Sequence, residues 1–324
     1  MPPVKTPRPD RRTQTVRPIL KWAGGKRQLL PALRQFYPRE FERFVEPFLG
    51  SGAVFLDCHN RGLLDGREVW LSDINADVIG CYRMVREAPE DVIRALRDLD
   101  AGHRKDGNRH FYQVRDERFN RDREDLQGSQ PLEAAYTPAL AAMLIYLNRT
   151  GFNGLFRVNS RGRFNVPAGR YESVTICDPE NLRQLSRALN RPDLQLDVSV
   201  FEDALARAEA GDFVYLDPPY APLSRTAQFT SYTAAGFGPE QQARLQQAVI
   251  HLAERGAHVL LSNSVAPEIT QLYEKSAEAR SAGLRARKVP ARRAINSRAT
   301  RRGAILEYLI TNVRTGRRPA FRVN

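Results

Sequence analysis

The chain has 324 residues, 42% of them hydrophobic, which permits one large or two modest domains with a buried core. Its net charge of +13 points to a polyanionic partner, and no apolar run approaches the roughly 18 residues of a membrane span. Cys58, Cys81 and Cys177 are far apart and the five histidines form no ligand-spaced pair, so neither a disulfide framework nor a metal centre is expected.

Taken in order, residues 1–17 are rich in Pro and Arg with few apolar groups, the composition of a disordered basic arm. Next comes "KWAGGK" (21–26), which holds two of only six lysines in the chain. Lysine here reads as a choice of compact point charge over the arginine fork. Residues 43–48 and 68–74 read as short buried strands with a helix at 52–61 between them, a β-α-β unit with parallel strands. Helical patterns follow at 75–87, 89–100, 108–120 and 133–148. Residues 154–167 read as two short β segments around "NSRG", a hairpin. After a helix at 178–190 the strand–helix rhythm resumes: strand 194–200, helix 202–210, strand 212–216, helix 239–255, strand 257–262, and strands near 285–290 and 304–311. The expected organisation is a discontinuous α/β domain (18–80 and 177–312), a mostly helical insert (81–176) and a basic tail (313–324). Charge is segregated along it. Residues 1–27 carry eight Lys and Arg against Asp10, residues 149–170 five arginines and no acid, and residues 283–324 twelve basic residues against Glu307. A nucleic-acid footprint requires such clustering. With no apolar signal core at the N-terminus, a soluble cytoplasmic protein is expected.

Two stretches carry chemistry. In "FVEPFLGSGAVFLD" (44–57), Gly50 and Gly52 lie between a strand and a helix, where backbone can approach a ligand and the helix N-terminus favours polar groups. Phe55 stands where a GxGxxG fingerprint needs its third glycine, so this is not that motif. The next strand ends in Asp73, where a carboxylate can accept from two ribose hydroxyls; together the features suit an adenosine-containing cofactor. In "VYLDPPY" (214–220), two prolines stop a buried strand and hold Asp217 and Tyr220 on either side of a stiff elbow.

"KWAGGK", "EPFLGSG", "LSDIN", "NRTGFNGLFRVN", "GRFNVPAGRY", "YLDPPY" and "FTSY" (229–232) occur in the order found in Dam-type adenine-N6 DNA methyltransferases, and the chain resembles that family over about residues 19–310. The resemblance implies a Rossmann-like α/β sheet with an inserted target-recognition domain at 81–176. It also implies S-adenosylmethionine as methyl donor, no metal, double-stranded DNA as partner, a monomer, and GATC as the target. By the same resemblance Asp217, Pro218, Pro219 and Tyr220 are catalytic. Trp22, Lys26, Asp73, Asp203 and Asp217 line the cofactor pocket over a floor of Phe48, Gly50 and Gly52. On the DNA side it assigns Lys21, Phe152, Asn153, Leu155, Arg157, Pro167 and Arg170, with Arg157 suited to reading a guanine edge. Since half or more of protein–DNA hydrogen bonds go to the backbone, Arg161 and Arg163 near the "NSRG" turn are expected to contact phosphates. Phe152 or Leu155 is either a wedge into the opened base stack or hairpin core. The rivals are a cytosine-N4 or RNA amino-methyltransferase and a catalytically inactive DNA-binding protein.

Overall fold

The computed structural model describes residues 15–22, 26–126, 131–171, 173–222, 237–292 and 304–314. Among them, seven strands build one sheet: β1 (Arg43–Glu46), β2 (Glu68–Asp73), β3 (Leu194–Val198), β4 (Phe213–Leu216), β5 (His258–Ser264), β6 (Arg285–Arg292) and β7 (Ala304–Thr311). Their spatial order is β3-β2-β1-β4-β5-β7-β6. The first five pair in parallel, and β7 runs antiparallel between β5 and β6. Successive parallel strands need crossovers, and the helices Ala53–Asn60 (β1 to β2), Phe201–Ala206 (β3 to β4, across the sheet) and Pro239–Glu254 (β4 to β5) supply three of them. The crossover from β2 to β3 contains the whole helical stretch from residue 76 to residue 189.

Strand β4 is buried along its whole length, as a central strand covered on both faces must be. Alternation divides the core between the two faces: Phe44, Phe213 and Tyr215 on one, Val45, Val214 and Leu216 on the other. The first of these clusters continues without a break into the helical stretch through Tyr82, Leu96, Phe111, Tyr146 and Phe164. The helices after β2 and the sheet therefore share one apolar core.

Most expected elements are present within a few residues of their assigned bounds. The helix expected at 133–148 is split, because Pro138 has no N–H to continue it. Leu132–Ala135 ends, Thr137 caps the next helix by accepting from the Leu140 N–H, and Pro138 opens Pro138–Thr150. The pattern at 108–120 is not uniform either, since Val114–Phe119 winds as a π-helix between Asn108–Gln113 and Asn120–Leu126. The hairpin pairs only at isolated bridges, Val158 with Phe164 and Gly151 with Ala168. Helical turns at Pro267–Ile269, Thr270–Glu274 and Ala277–Ser281 occupy a segment the sequence pattern left blank.

The described end of the expected arm is fastened down. Val16 is buried with its N–H on Asn60 Oδ1, and Arg17 donates its N–H to Asn181 and its guanidinium to Asp178. Residues 1–14, Gly24-Gly25 of "KWAGGK", "FTSY" (229–232) and residues 315–324 lie outside the described residues. Cys58 and Cys81 are buried free thiols, and Cys177 is a half-buried one.

Candidate active site

Strand β4 delivers Asp217 to the C-terminal edge of the sheet, and the backbone beyond it is locked from behind. Gln242 donates to the Pro219 carbonyl (2.9 Å) and accepts from Asn263, whose own oxygen takes the Ala221 N–H; Ser264 donates to the Ala221 carbonyl (2.7 Å). Gln242 and Asn263 are buried, so these bonds form away from competing water. With φ fixed at two successive prolines, the elbow has little freedom left.

The Asp217 side chain, 20% exposed, is gripped at one oxygen. Lys26 Nζ lies 2.8 Å from Oδ1 and Ser262 Oγ donates to the same atom at 3.0 Å. Burial pushes the Asp217 carboxyl above the usual range, while the Lys26 charge and the Lys26 and Ser262 hydrogen bonds pull the other way. Lys26, only 4% exposed, also sits 4.5 Å over the ring of Tyr220. Tyr220 in turn donates its hydroxyl to Glu307 on β7 at 2.8 Å, which fixes the ring's direction.

Between β1 and β2 lies the glycine turn. Gly50 has a left-handed φ of 46°, and a Cβ built there would come 2.7 Å from the Trp22 ring. Trp22 therefore lies close over this glycine. Gly50 N–H donates to Asp73 Oδ2 and Asn75 N–H to Asp73 Oδ1, both at 2.9 Å. Burial raises the Asp73 carboxyl to about 6 despite those bonds. Gly52 precedes the first turn of Ala53–Asn60. Phe48 packs between Phe201 and Phe237. Asp203 lies exposed in the first turn of Phe201–Ala206.

Four residues at this edge were not singled out from the sequence. Glu46, 2% exposed, accepts the Phe55 N–H at the start of the helix, and burial drives its carboxyl well above the usual range. An acid ending the apolar run "RFVE" was its signal. Ser262 and Glu307 reach the elbow from neighbouring strands, with no local signal beyond polar residues in apolar runs. Ile74, next to Asp73, is 54% exposed at this edge.

The loop at 151–170 stands against the same site. Lys21 Nζ donates to the Arg149 carbonyl (3.0 Å) and lies 4.1 Å over the Tyr171 ring; burial and Arg149 lower its pKa. Gly154 has a left-handed φ of 62°, and a Cβ there would overlap the Lys21 side chain, so both the backbone and the space call for glycine. Trp22, which fills the space over Gly50, faces Phe156 with ring centres 6.2 Å apart. "KWAGGK" thus touches the loop through Lys21, both regions through Trp22, and the elbow through Lys26.

Phe152 is 47% exposed and Leu155 half-buried against the core, so the two positions treated alike in the sequence separate. Asn153 between them holds a φ of 55°, uncommon outside glycine. Arg157 is exposed, with Nε on Asn165 Oδ1 at 2.8 Å. Pro167 and Arg170 are exposed, and Pro167 accepts the Phe152 N–H. Arg161 is exposed at the turn, whereas Arg163 is ion-paired with Glu124 at 2.8 Å.

Among the described residues no group of three or more His, Cys, Asp or Glu is placed to hold a metal, and no helix is long and apolar enough to cross a membrane. Residues 22–286 match the family model described as D12 class N6 adenine-specific DNA methyltransferase. The chain is 36% identical over 300 residues to Type II methyltransferase M1.LlaDCHI of Lactococcus lactis subsp. cremoris, covering 92% of this chain and 95% of that one. It is 37% identical over 311 residues to Type II methyltransferase M.MjaIII of Methanocaldococcus jannaschii, covering 92% and 99%. It is 36% identical over 260 residues to the DNA adenine methylase of Escherichia coli K12, covering 80% and 85%.

Proposed function

Because the chain belongs to the D12 class of N6 adenine-specific DNA methyltransferases, we propose that it methylates N6 of an adenine flipped out of double-stranded DNA at GATC. The observation that carries the chemistry is the Asp217 carboxylate, held at Oδ1 by Lys26 and Ser262 on an immobilised elbow beside Tyr220. An adenine amino nitrogen is a poor nucleophile because its lone pair is delocalised into the ring. With Oδ1 already engaged, Asp217 Oδ2 is the atom that accepts one amino N–H, and the Pro218 carbonyl accepts the other. Both bonds draw the nitrogen towards tetrahedral geometry and release its lone pair, and the Tyr220 ring stacks on the base. A base still stacked in its duplex cannot bring its amino group to such an elbow, so the adenine leaves the stack at a cost of about a few kcal/mol.

S-adenosylmethionine, the donor implied by the family, supplies an electrophilic methyl group on sulfur. The edge of the sheet fits it: an almost buried carboxylate for ribose hydroxyls (Asp73), exposed Ile74 and the Phe48–Phe201 pair for an apolar ring, and Trp22 over Gly50 as a wall. The loop at 152–170, with Lys21, is the DNA-reading part of a target-recognition domain at 81–176. Arg157 reads a guanine, Phe152 enters the vacated stack and Arg161 contacts phosphate.

The choice of GATC rests on the resemblance of Lys21 and the 149–170 stretch to Dam-type enzymes. Methylation-sensitive sequencing of DNA from cells expressing the protein, with nucleoside analysis of the product, tests both parts. N6-methyladenine confined to GATC is the expected result. N4-methylcytosine, or adenine methylation at another site, would overturn the respective part.

A further inference from the structure

The helical run before the loop has no place in the chemistry above, yet it is built against the loop's return limb. Arg115 donates to the Val166 carbonyl (3.0 Å), Asn120 to the Phe164 carbonyl (3.0 Å) and Arg123 to the Gly162 carbonyl (2.8 Å). Asn120 also accepts the Phe164 N–H at 2.7 Å. These carbonyls belong to alternate residues, the ones an adjacent strand would bond. The intervening residues face the other way, with Asn165 N–H on the Arg157 carbonyl and the Arg163 carbonyl taking the Asn159 N–H. Three side chains thus stand in for a third strand.

The π-helix explains how they line up. Five residues of α-helix would place Arg115 and Asn120 about 140° apart around the axis. Here Asn120 N–H bonds the Arg115 carbonyl, which brings the two towards one face, and Arg123 follows three residues on along it. Arg123 is itself fixed by a bidentate pair with Asp77 (2.7 and 2.8 Å), and Tyr136 donates to the same carboxylate. Asp77 lies four residues beyond Asp73, so the clamp is anchored on the segment that leaves the cofactor acid.

We propose that Arg115, Asn120 and Arg123 are positioning residues for DNA specificity, holding the return limb so that Asn165, and through it Arg157, meets one base in one geometry. The proposal rests on the reading of residues 152–170 as the recognition hairpin. A reading side chain on a two-stranded loop is placed less firmly than one on a sheet, and small looseness is enough to lose discrimination.

Two variants test this in the full-length protein. Asn120→Asp keeps size and the acceptor for Phe164 N–H but sets an oxygen against the Phe164 carbonyl. Arg115→Met removes the Val166 bond at a less buried position, and decides the matter if Asn120→Asp does not fold. On the sequenced target site and its single-base variants, each should raise the KM for DNA and lower discrimination by about tenfold. Cognate kcat and affinity for S-adenosylmethionine should stay within about twofold, whereas a general loss of structure would move all four. Amide exchange across residues 159–166 should quicken. Arg157→Ala is measured alongside. If it relaxes discrimination while folded Arg115→Met and Asn120→Asp discriminate like the parent, the clamp is overturned and the hairpin reading stands. If Arg157→Ala leaves discrimination intact, the hairpin reading fails; quickened exchange in the clamp variants would then show a clamp without a role in specificity, overturning the proposal.

Discussion

At residues 217–221 the backbone is held by buried amides and hydroxyls from β5 and the helix Pro239–Glu254, behind a strand that is buried throughout. At residues 151–170 a loop with only two isolated bridges is held from one side by side chains of the preceding helices. The first arrangement fixes acceptor atoms to the sheet itself, as suits chemistry in which small displacements are costly. The second leaves Phe152, Arg157 and Arg161 exposed on a surface that can change its residues without disturbing the sheet. On the proposed function, reaction and recognition fall to two regions held by different hydrogen-bond networks, with Trp22 between Gly50 and Phe156 touching both.

If that division holds, the largest effect belongs to the elbow. Asp217→Ala should lower kcat by at least roughly a thousandfold while DNA affinity in gel-shift titrations stays within a few-fold. A loss of DNA binding that parallels the loss of rate would merge the two regions. Lys26→Met removes the charge that opposes burial at Asp217, so the carboxyl rises further and the acidic limb of the kcat–pH profile should move to higher pH.

The loop should show the converse pattern. Arg157→Ala is expected to cost about 1–3 kcal/mol on the intact site and to relax choice at one guanine-containing pair. Turnover on every single-base variant of GATC checks this, and an equal loss on all of them would make Arg157 a phosphate contact.

The proposed cofactor pocket comes next. Trp22→Ala should raise the KM for S-adenosylmethionine roughly tenfold, about 1.4 kcal/mol, with DNA discrimination changed less. Calorimetry showing normal cofactor binding would remove Trp22 from the pocket. Asp73 adds a pH test. With its carboxyl raised to about 6, cofactor affinity should fall as pH drops below that value, and Asp73→Asn should abolish the dependence. The sign for stability is opposite to that of a salt-bridged acid. Between about 4, its unfolded value, and 6 the native state holds more protons, so Asp73 lowers stability as pH rises through that window.

The smallest effect is expected at Arg161. Its replacement by Ala should weaken binding to all sequences alike and make the salt dependence shallower by about one unit of slope. A selective effect at one base pair would place Arg161 among the base readers.

Much of this was readable along the chain. All seven strands lie within a few residues of their expected positions; for β2 and β4 the signal is a short apolar run ended by Asp or Asp-Pro-Pro, because a buried strand demands such a run and those residues can only end it. Asp73 ends β2, and Asp217 directly follows β4 with Tyr220 three residues on, so the positions of all three could be read from those two strands. The partners were not. Lys26 and Ser262 on Asp217, Glu307 on Tyr220, and Trp22 over Gly50 all join residues distant in sequence, and no local period encodes such a meeting.

Strand order was equally hidden, because β6 and β7 have patterns that would suit either place beside β5. The division between Arg161 and Arg163 appeared only with Glu124 in position, and the alignment of Arg115, Asn120 and Arg123 only with a π-helix no propensity foretells. Sequence by itself determined where backbone must be buried and where it must turn, which are local matters of hydrophobicity and φ. Tertiary structure alone decided which charges and donors meet, because those pairings depend on how separate elements pack.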